Sequence, residues 1–152
     1  MLRFEGDREF TQPLSELFTR LTDVPFLVEC ISDVETVRAV TSDRAELVLR
    51  PGFAFVKGTL EVTMNLLERC EPTSANFQLL SKGIGSSSEV IASLSLSEHG
   101  QGTRVHWSTE VKSLGGLLKL VPHGLIRGAA EKVIHDTWKR IGERLSSGAE
   151  KA

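Results

Sequence analysis

The sequence lacks features that mark several common classes of protein. It contains no tyrosine, two cysteines and two tryptophans. The absence of tyrosine removes a phenol group that can donate a proton or a hydrogen bond in an enzyme site. No apolar run reaches the about 18 residues that a membrane-spanning helix needs, so we expect no integral membrane segment, while peripheral membrane contact stays open.

No charge of one sign dominates. The chain carries 18 basic and 20 acidic residues, and its pI is near 6.1. We therefore expect no nucleic-acid partner, because such partners require a strongly basic surface. The first 20 residues include several acidic side chains and no apolar run, which predicts a chain without a signal peptide and a cytoplasmic location.

Residues for metal or nucleophilic chemistry are sparse. Cys30 and Cys70 lie far apart without metal-type spacing, and we expect two buried thiols in a reducing compartment. No pair of histidines has zinc-type spacing with a third ligand, and the chain contains no Gly-x-Ser-x-Gly elbow. The sequence therefore predicts no metal, no cofactor and no catalytic residue. The four histidines are His99, His106, His123 and His135.

Most of the chain alternates with period two, which predicts strands. A first strand ends at Phe10, and two short helices follow, one capped by Thr11 with Pro13 in its first turn and one capped by Asp23. Six more strands bring the count to seven, and the clearest of them begins at Val56. The length suits one domain over residues 1–146, followed by a polar tail at 147–152.

A long helix is predicted at the end of the chain. Helical spacing begins after Gly115 and Gly116, and Pro122 divides it, because proline removes a helical hydrogen bond. We expect the main helix to start near Pro122 and to run for about 25 residues, or about 35 Å. One helix then covers one large sheet, and the space between them is either filled by side chains or hollow.

The order of these elements resembles the helix-grip fold of the START-like, or SRPBCC, superfamily. This is an α+β fold with a seven-stranded curved antiparallel sheet, two short helices after strand 1 and one long C-terminal helix over the concave face. Short motifs make the chain similar to the branch that contains the G-subunit of carbon monoxide dehydrogenase. They are Phe4-Glu5-Gly6, Leu21-Thr22-Asp23, Cys30-Ile31, Val56-Lys57-Gly58 and Gly102-Thr103-Arg104-Val105-His106-Trp107.

The resemblance implies a hydrophobic cavity between helix and sheet, which this superfamily uses to bind lipids, sterols, polyketides or quinones. Small residues at the expected crossing, including Gly58 and Gly128, favour a hollow interior, although the same apolar residues would form the core of a filled protein. The expected lining residues are Val62, Met64, Phe77, Leu94, Val105, Trp107, Leu118, Val121, Leu125, Ala129 and Val133.

Three hypotheses about function remain open. The first is a non-enzymatic module that binds a small lipid-like or quinone-like ligand, as a monomer or homodimer, with a redox enzyme of the carbon monoxide dehydrogenase type as a possible protein partner. The second is an enzyme of the cyclase, dehydratase or hydrolase kind, which requires two ionisable side chains facing one cavity. The third is an adaptor with a closed pocket, whose apolar loop Phe53-Ala54-Phe55 binds a partner.

Overall fold

A seven-stranded antiparallel sheet organises the chain in the computed structural model, in the strand order β1-β7-β6-β5-β4-β3-β2. A 3₁₀ helix, Leu117–Leu120, links the last strand to the last helix. The strands and helices are β1 (Arg3–Phe10), α1 (Leu14–Leu21), α2 (Val24–Glu29), β2 (Val34–Val40), β3 (Arg44–Leu49), β4 (Leu60–Cys70), β5 (Ser74–Gly83), β6 (Ser86–His99), β7 (Gly102–Gly116) and α3 (His123–Lys151).

The structure describes the backbone of residues 2–53, 56 and 58–151, and the side chains of these residues up to Ser146. Ala54 and Phe55, which the sequence assigns to an apolar loop, lie outside the described residues, as does Lys57 of the Val56-Lys57-Gly58 motif. The side chains of the polar tail lie outside them as well.

The α+β helix-grip fold is confirmed, with two short helices after β1 and one long helix after β7. Asp23 occupies the N-cap position of α2, as predicted, although its side chain makes no capping hydrogen bond. The expected cap of α1 is wrong: Pro13, rather than Thr11, occupies the N-cap position. The fourth strand begins at Leu60 instead of Val56, and β7 runs through Gly116, since β6 pairs with it along its whole length.

Two apolar clusters form the core. The larger cluster joins α1 and α2 to the sheet and to the C-terminal half of α3, through Trp138, Ile141 and Leu145. The smaller one is built by Leu2, Phe4, Val111, Leu118 and Ile126, at the start of α3. Trp107 and Ile134 pack against both clusters. These two residues therefore lie at the junction between the two parts of the core.

The sheet register defines two ends of the molecule. Leu60 is opposite Gly83, and Ser86 is opposite Gly116, so the turn between β5 and β6 lies at the same end as the 3₁₀ helix and the start of α3. We call this the hairpin end. The other end, which we call the groove end, holds Phe10 and the turns between β4 and β5 and between β6 and β7.

The two cysteines lie in different surroundings, which corrects the expectation that both are buried. Cys30 is fully buried after α2, and burial raises the pKa of its thiol, whereas Cys70 is exposed at the end of β4. Only a thiolate reacts rapidly with Ellman's reagent. We therefore expect one thiol per chain to react rapidly in the folded protein and the second to react only after unfolding in guanidinium chloride. Two rapidly reacting thiols would contradict the placement of Cys30.

Candidate functional site

Trp107 lies on the concave face of the sheet, between Gly6 of β1 and Leu94 of β6. Its indole ring covers Gly6 so closely that a Cβ atom at that position would lie 2.9 Å from Cζ2 and 3.2 Å from Nε1. A side chain at position 6 would therefore displace the ring. Because Gly6 has no side chain, the indole ring can lie against β1 at this position.

The indole nitrogen of Trp107 is one of two buried side-chain donors without an acceptor among the described residues, and the other is Nε of Arg20. Among the described residues, no hydrogen-bond acceptor reaches Nε1, although the atom is buried. An unsatisfied buried donor costs about 1–3 kcal/mol, and native proteins rarely leave one. An oxygen atom of a bound molecule would complete this hydrogen bond, so the interior is suited to a ligand that carries an acceptor.

Three aromatic rings extend from the interior to the groove end. Trp138 of α3 has its ring centroid 6.3 Å from that of Trp107 and 6.1 Å from that of Phe10, with tilted ring planes in both pairs. Tilted rings at this distance attract each other beyond simple area burial. The guanidinium group of Arg8 lies 5.9 Å from the Trp138 centroid, within the range of a cation–π interaction.

A groove opens beside these rings. Its volume is about 670 Å³, within the range of about 300–1,000 Å³ that is usual for small-molecule sites. Apolar side chains and charged side chains both contribute to its walls, which suits a molecule with an apolar body and one polar end. The lining residues are Arg8, Glu9, Phe10, Thr11, Gln12, Trp138, Lys139, Gly142, Glu143, Leu145 and Ser146.

The structure divides the predicted lining residues into three groups. Five are buried, namely Val62, Met64, Phe77, Val105 and Leu118. Four are half-buried, namely Leu94, Trp107, Val121 and Ala129. The remaining two, Leu125 and Val133, are 57% and 45% exposed on α3.

The exposure of Leu125 and Val133 corrects the expected orientation of α3. Ile126, Ile134 and Trp138 face the core in their place. Two adjacent rows of apolar residues run along this helix, one position apart, and the sequence interpretation assigned the inner surface to the wrong row. The helix start after Pro122 fixes the rotation, because the buried Leu118 holds the preceding 3₁₀ helix against the smaller cluster.

The small residues also require a correction. Gly58 is exposed in the connection between β3 and β4, and Gly128 faces open space on α3, so neither lies where helix and sheet cross. Ala92 on β6 does belong to the concave face and packs against the larger cluster. Ala92 and Leu94 both keep some accessible surface although they lie on a central strand. The middle of the concave face is therefore not fully buried.

The histidines lie outside this interior. His106 is exposed beside Asp7, with 3.0 Å between Nδ1 and Oδ1, and His99 is exposed 3.4 Å from a carboxylate oxygen of Glu9. His106 thus points away from the apolar face of the sheet. His123 and His135 are exposed on α3. In the part of the chain that the structure describes, no three His, Cys, Asp or Glu side chains are grouped to hold a metal ion.

Sequence reasoning did not identify Arg8, Phe10 and Trp138 as site residues. A signal was present for each. Arg8 and Phe10 continue the period-two row of Phe4 and Gly6 on the inner face of β1, and Trp138 follows Ile134 by one helical turn. Their convergence depends on how far α3 crosses the sheet, which the spacing alone does not specify.

The length and apolar content of a helix decide whether it can cross a membrane. Within residues 2–53, 56 and 58–151, no helix combines the length and the hydropathy that crossing a bilayer requires.

Comparisons with known proteins agree with this fold. The profile of CoxG, the family of the carbon monoxide dehydrogenase G-subunit, matches residues 6–146. No protein of curated function matches the sequence significantly.

Several solved structures are similar. A conserved protein from Geobacillus kaustophilus is 19% identical with a TM-score of 0.83, and the alignment covers 96% of each chain. Protein Ms6760 from Mycobacterium smegmatis is 15% identical with a TM-score of 0.67, covering 97% of this chain and 92% of that one. The protein Ara h 8.0201 is 14% identical with a TM-score of 0.62, covering 95% and 98%. At these identities the likeness shows the fold alone.

Proposed function

The chain belongs to the CoxG family, that of the carbon monoxide dehydrogenase G-subunit, within the START-like superfamily, and from this premise we propose that it binds a small lipid-like or quinone-like molecule between α3 and the concave face of the sheet. We further propose that it serves as an accessory protein of a redox system of the carbon monoxide dehydrogenase type. The first proposal rests on the interior and the groove, and the second on family membership alone.

One observation carries the ligand proposal: the buried Nε1 of Trp107 has no acceptor among the described residues. The surroundings of this nitrogen are apolar, because Trp107 packs against both core clusters. A ligand with a carbonyl or ester oxygen satisfies the donor and buries its hydrocarbon part against these clusters. Few polar groups and a mainly apolar wall are the usual composition of small-molecule sites.

The groove suggests how the ligand is oriented. Phe10 and Trp138 line the groove, and Trp138 also contacts Trp107, so the groove and the unsatisfied nitrogen are separated by one ring. Arg8 also lines the groove, and its guanidinium group lies 5.9 Å from the centroid of the Trp138 ring. We propose that one oxygen of the ligand accepts the hydrogen bond of Nε1 of Trp107, that a second polar group faces Arg8, and that the apolar body between them contacts the aromatic rings.

The ligand proposal is tested with menadione as the quinone probe and palmitate as the lipid probe. Both tryptophans of the chain belong to the proposed site, so quinone binding is expected to quench most of the intrinsic fluorescence in a saturable manner. Native mass spectrometry of the same samples measures the stoichiometry, with one bound molecule per chain expected. If neither probe binds and the freshly purified protein carries no apolar molecule, the proposal is wrong.

The Trp107→Phe variant tests the role of the indole nitrogen. It keeps an aromatic ring but removes the N–H group. We expect menadione to bind about three- to tenfold more weakly, because this factor corresponds to the net free energy of one neutral hydrogen bond. The stability of the ligand-free variant should stay within about 1 kcal/mol of the wild type, because the lost packing is offset by the removal of an unsatisfied donor. Thermal unfolding and fluorescence titration measure the two effects.

Naphthalene provides the control for this variant, since it is flat and apolar but carries no hydrogen-bond acceptor. We expect naphthalene to bind the wild type and Trp107→Phe equally well. A loss of menadione binding that is matched by an equal loss of naphthalene binding would show that the indole acts only by filling space.

The accessory role has its own test. Purified carbon monoxide dehydrogenase, mixed with this protein, should co-elute with it in size-exclusion chromatography. Separate elution at all concentrations would refute the partner while leaving the ligand proposal intact.

A further inference from the structure

The two outer strands of the sheet differ in regularity. β2 pairs with β3 through two register shifts, one between Val34 and Thr36 and one between Val37 and Ala39. β1 pairs with β7 over the whole range Arg3–Phe10 without a shift, and no strand of the described chain pairs with its other edge. Bulges make an edge a poor template for further pairing, whereas a regular edge is a good one. The outer edge of β1 is therefore the edge that can accept another strand.

The hydrogen bonds between β1 and β7 show which backbone groups of β1 are free. The amide of Val111 donates to the carbonyl of Leu2 at 2.9 Å. Hydrogen-bonded pairs alternate along an antiparallel ladder, so the even-numbered residues of β1 bond to β7. The odd-numbered residues Glu5, Asp7 and Glu9 then direct their N–H and C=O groups to the outer edge. Within the described chain, no loop or helix backbone forms a hydrogen bond with these groups.

The groove lies beside this edge. Arg8, Glu9 and Phe10 of β1 contribute to one wall, and residues of α3 from Trp138 to Ser146 contribute to the other. An extended peptide binds at an exposed sheet edge by adding a strand, in which main-chain hydrogen bonds give affinity and contacts of alternate side chains give specificity. The groove thus provides a wall for such side-chain contacts next to the free backbone groups of β1.

A row of carboxylates follows the same edge on the face of the sheet opposite α3. Glu5, Asp7 and Glu9 form this row, and each side chain is more than half exposed. Asp7 lies 3.0 Å from His106, and Glu9 lies 3.6 Å from Arg104. A carboxylate has two oxygens and accepts several hydrogen bonds, so these contacts leave capacity for a further cation. The row therefore favours basic side chains on a strand that adds to β1.

A second copy of this chain is a poor occupant of the edge. In an antiparallel pair of two β1 strands about a two-fold axis, residues whose numbers sum to a constant lie opposite each other. Registers centred on Gly6, Asp7 or Arg8 all place carboxylates of the two copies directly opposite each other. Like charges in that position destabilise a strand pair. The row thus opposes self-pairing and leaves the edge available to a strand of opposite charge.

We infer that the outer edge of β1 binds an extended segment of another protein, in which basic and apolar residues alternate, as an additional antiparallel strand. Residues opposite Glu5, Asp7 and Glu9 share the face of these carboxylates and carry the basic side chains. The residues between them share the face of the groove and contact the Trp138 ring with apolar side chains. This inference goes beyond the ligand proposal and stands on backbone geometry and surface charge, so none of its tests uses menadione.

A synthetic peptide of about seven residues that alternates lysine and valine tests the inference. Fluorescence anisotropy of the labelled peptide measures its binding to the full chain at low salt. A peptide in which glutamate replaces lysine should bind at least about tenfold more weakly, because its charges are repelled. N-methylation of the lysine amides keeps the charges but removes the donors that face β1, and it should cause a similar loss. No binding of the first peptide, or equal binding of the methylated one, would overturn the inference.

Two variants at one position test the use of the edge backbone. Asp7→Pro removes the outward N–H group together with the carboxylate, and pairing with β7 is kept because that N–H does not face β7. Asp7→Ala removes the carboxylate alone. We expect the proline variant to bind the lysine peptide at least about threefold more weakly than the alanine variant, the value of one hydrogen bond. Circular dichroism confirms that both are folded, and equal affinities would contradict strand addition.

A charge reversal identifies the surface. Glu5→Lys with Glu9→Lys should lose binding of the lysine peptide and gain binding of the glutamate peptide. Glu35→Lys with Glu46→Lys changes the net charge equally on β2 and β3 and should bind the lysine peptide as the wild type does. If both double variants lose the peptide alike, the binding is not at β1. If size-exclusion chromatography instead shows a wild-type dimer that the reversal at β1 abolishes, a second copy occupies the edge and the inference is wrong.

Discussion

Replacing Trp138 with alanine is expected to lower the free energy of unfolding by about 3–5 kcal/mol. The side chain is 8% exposed and joins α3 to β1 and β7 through its contacts with Phe10 and Trp107. Its removal leaves a cavity beneath the C-terminal half of α3, which neighbouring rings cannot fill without leaving their positions. A domain of this size has a total stability of about 5–15 kcal/mol, so the loss is a large part of it.

Chemical denaturation with urea measures this loss, and Trp138→Phe serves as its control because it keeps a ring against Phe10. The phenylalanine variant should lose less than half as much stability as the alanine variant. We also expect menadione to bind Trp138→Ala weakly, since the aromatic wall of the groove is gone. An alanine variant with the midpoint of the wild type would show that α3 is not held to the sheet at this residue.

The second large effect is expected at Gly116, which ends β7 at the hairpin end. Its backbone has φ 61° and ψ −134°, a combination that side chains strongly disfavour. A Cβ atom there would also overlap the carbonyl oxygen of Gly85, which accepts the hydrogen bond of Leu117. Gly116→Ala should therefore cost at least about 3 kcal/mol and displace the 3₁₀ helix.

Gly100 offers a control that shares the positive φ of Gly116 but lacks the overlap. It has the same φ of 61°, but a Cβ atom would meet nothing within 4 Å. Gly100→Ala should cost only about 1 kcal/mol, the usual penalty for a left-handed residue. Urea denaturation measures both losses, and equal losses in the two variants would contradict the disfavoured backbone and the close approach to Gly85 at Gly116.

The fold was predictable because its signals are local. Period-two alternation runs from Leu60 to Leu66 in β4 and from Val105 to Val111 in β7, so the strands could be recognised from the sequence. The two short helices are marked by Pro13 and Asp23. Boundaries were less accurate, as at Leu60, because a strand starts where a partner strand begins and not where alternation begins.

The face of α3 was harder to predict, for a physical reason. The row of Leu125, Ala129 and Val133 and the row of Ile126, Ala130 and Ile134 have the same spacing and similar hydrophobicity. Which row is buried depends on the rotation of the helix, and Leu118 and the turn at Pro122 fix that rotation through tertiary packing. The spacing therefore predicted an amphipathic helix correctly. It placed two of the expected lining residues, Leu125 and Val133, on the exposed side of that helix.

The candidate site depends on geometry that no local pattern contains. Arg8 belongs to the inner row of β1, yet its position beside Trp138 is set by the crossing of a helix more than 100 residues later. The missing acceptor of Trp107 is a property of everything packed around the ring. The two polar groups of the candidate site, Nε1 of Trp107 and the guanidinium group of Arg8, were therefore not predictable from composition, and none of the eleven predicted lining residues lines the groove.

The indole resonances of the two tryptophans, observed by proton–nitrogen NMR, test the proposed ligand site at the level of a single atom. The spectrum should contain two indole signals, and Trp107→Phe identifies the one from Trp107. On titration with menadione, we expect the Trp107 indole proton to shift downfield, as a proton does when its N–H group acquires an oxygen acceptor. If menadione binds at saturation and this resonance does not move, the unsatisfied nitrogen is not part of a ligand site.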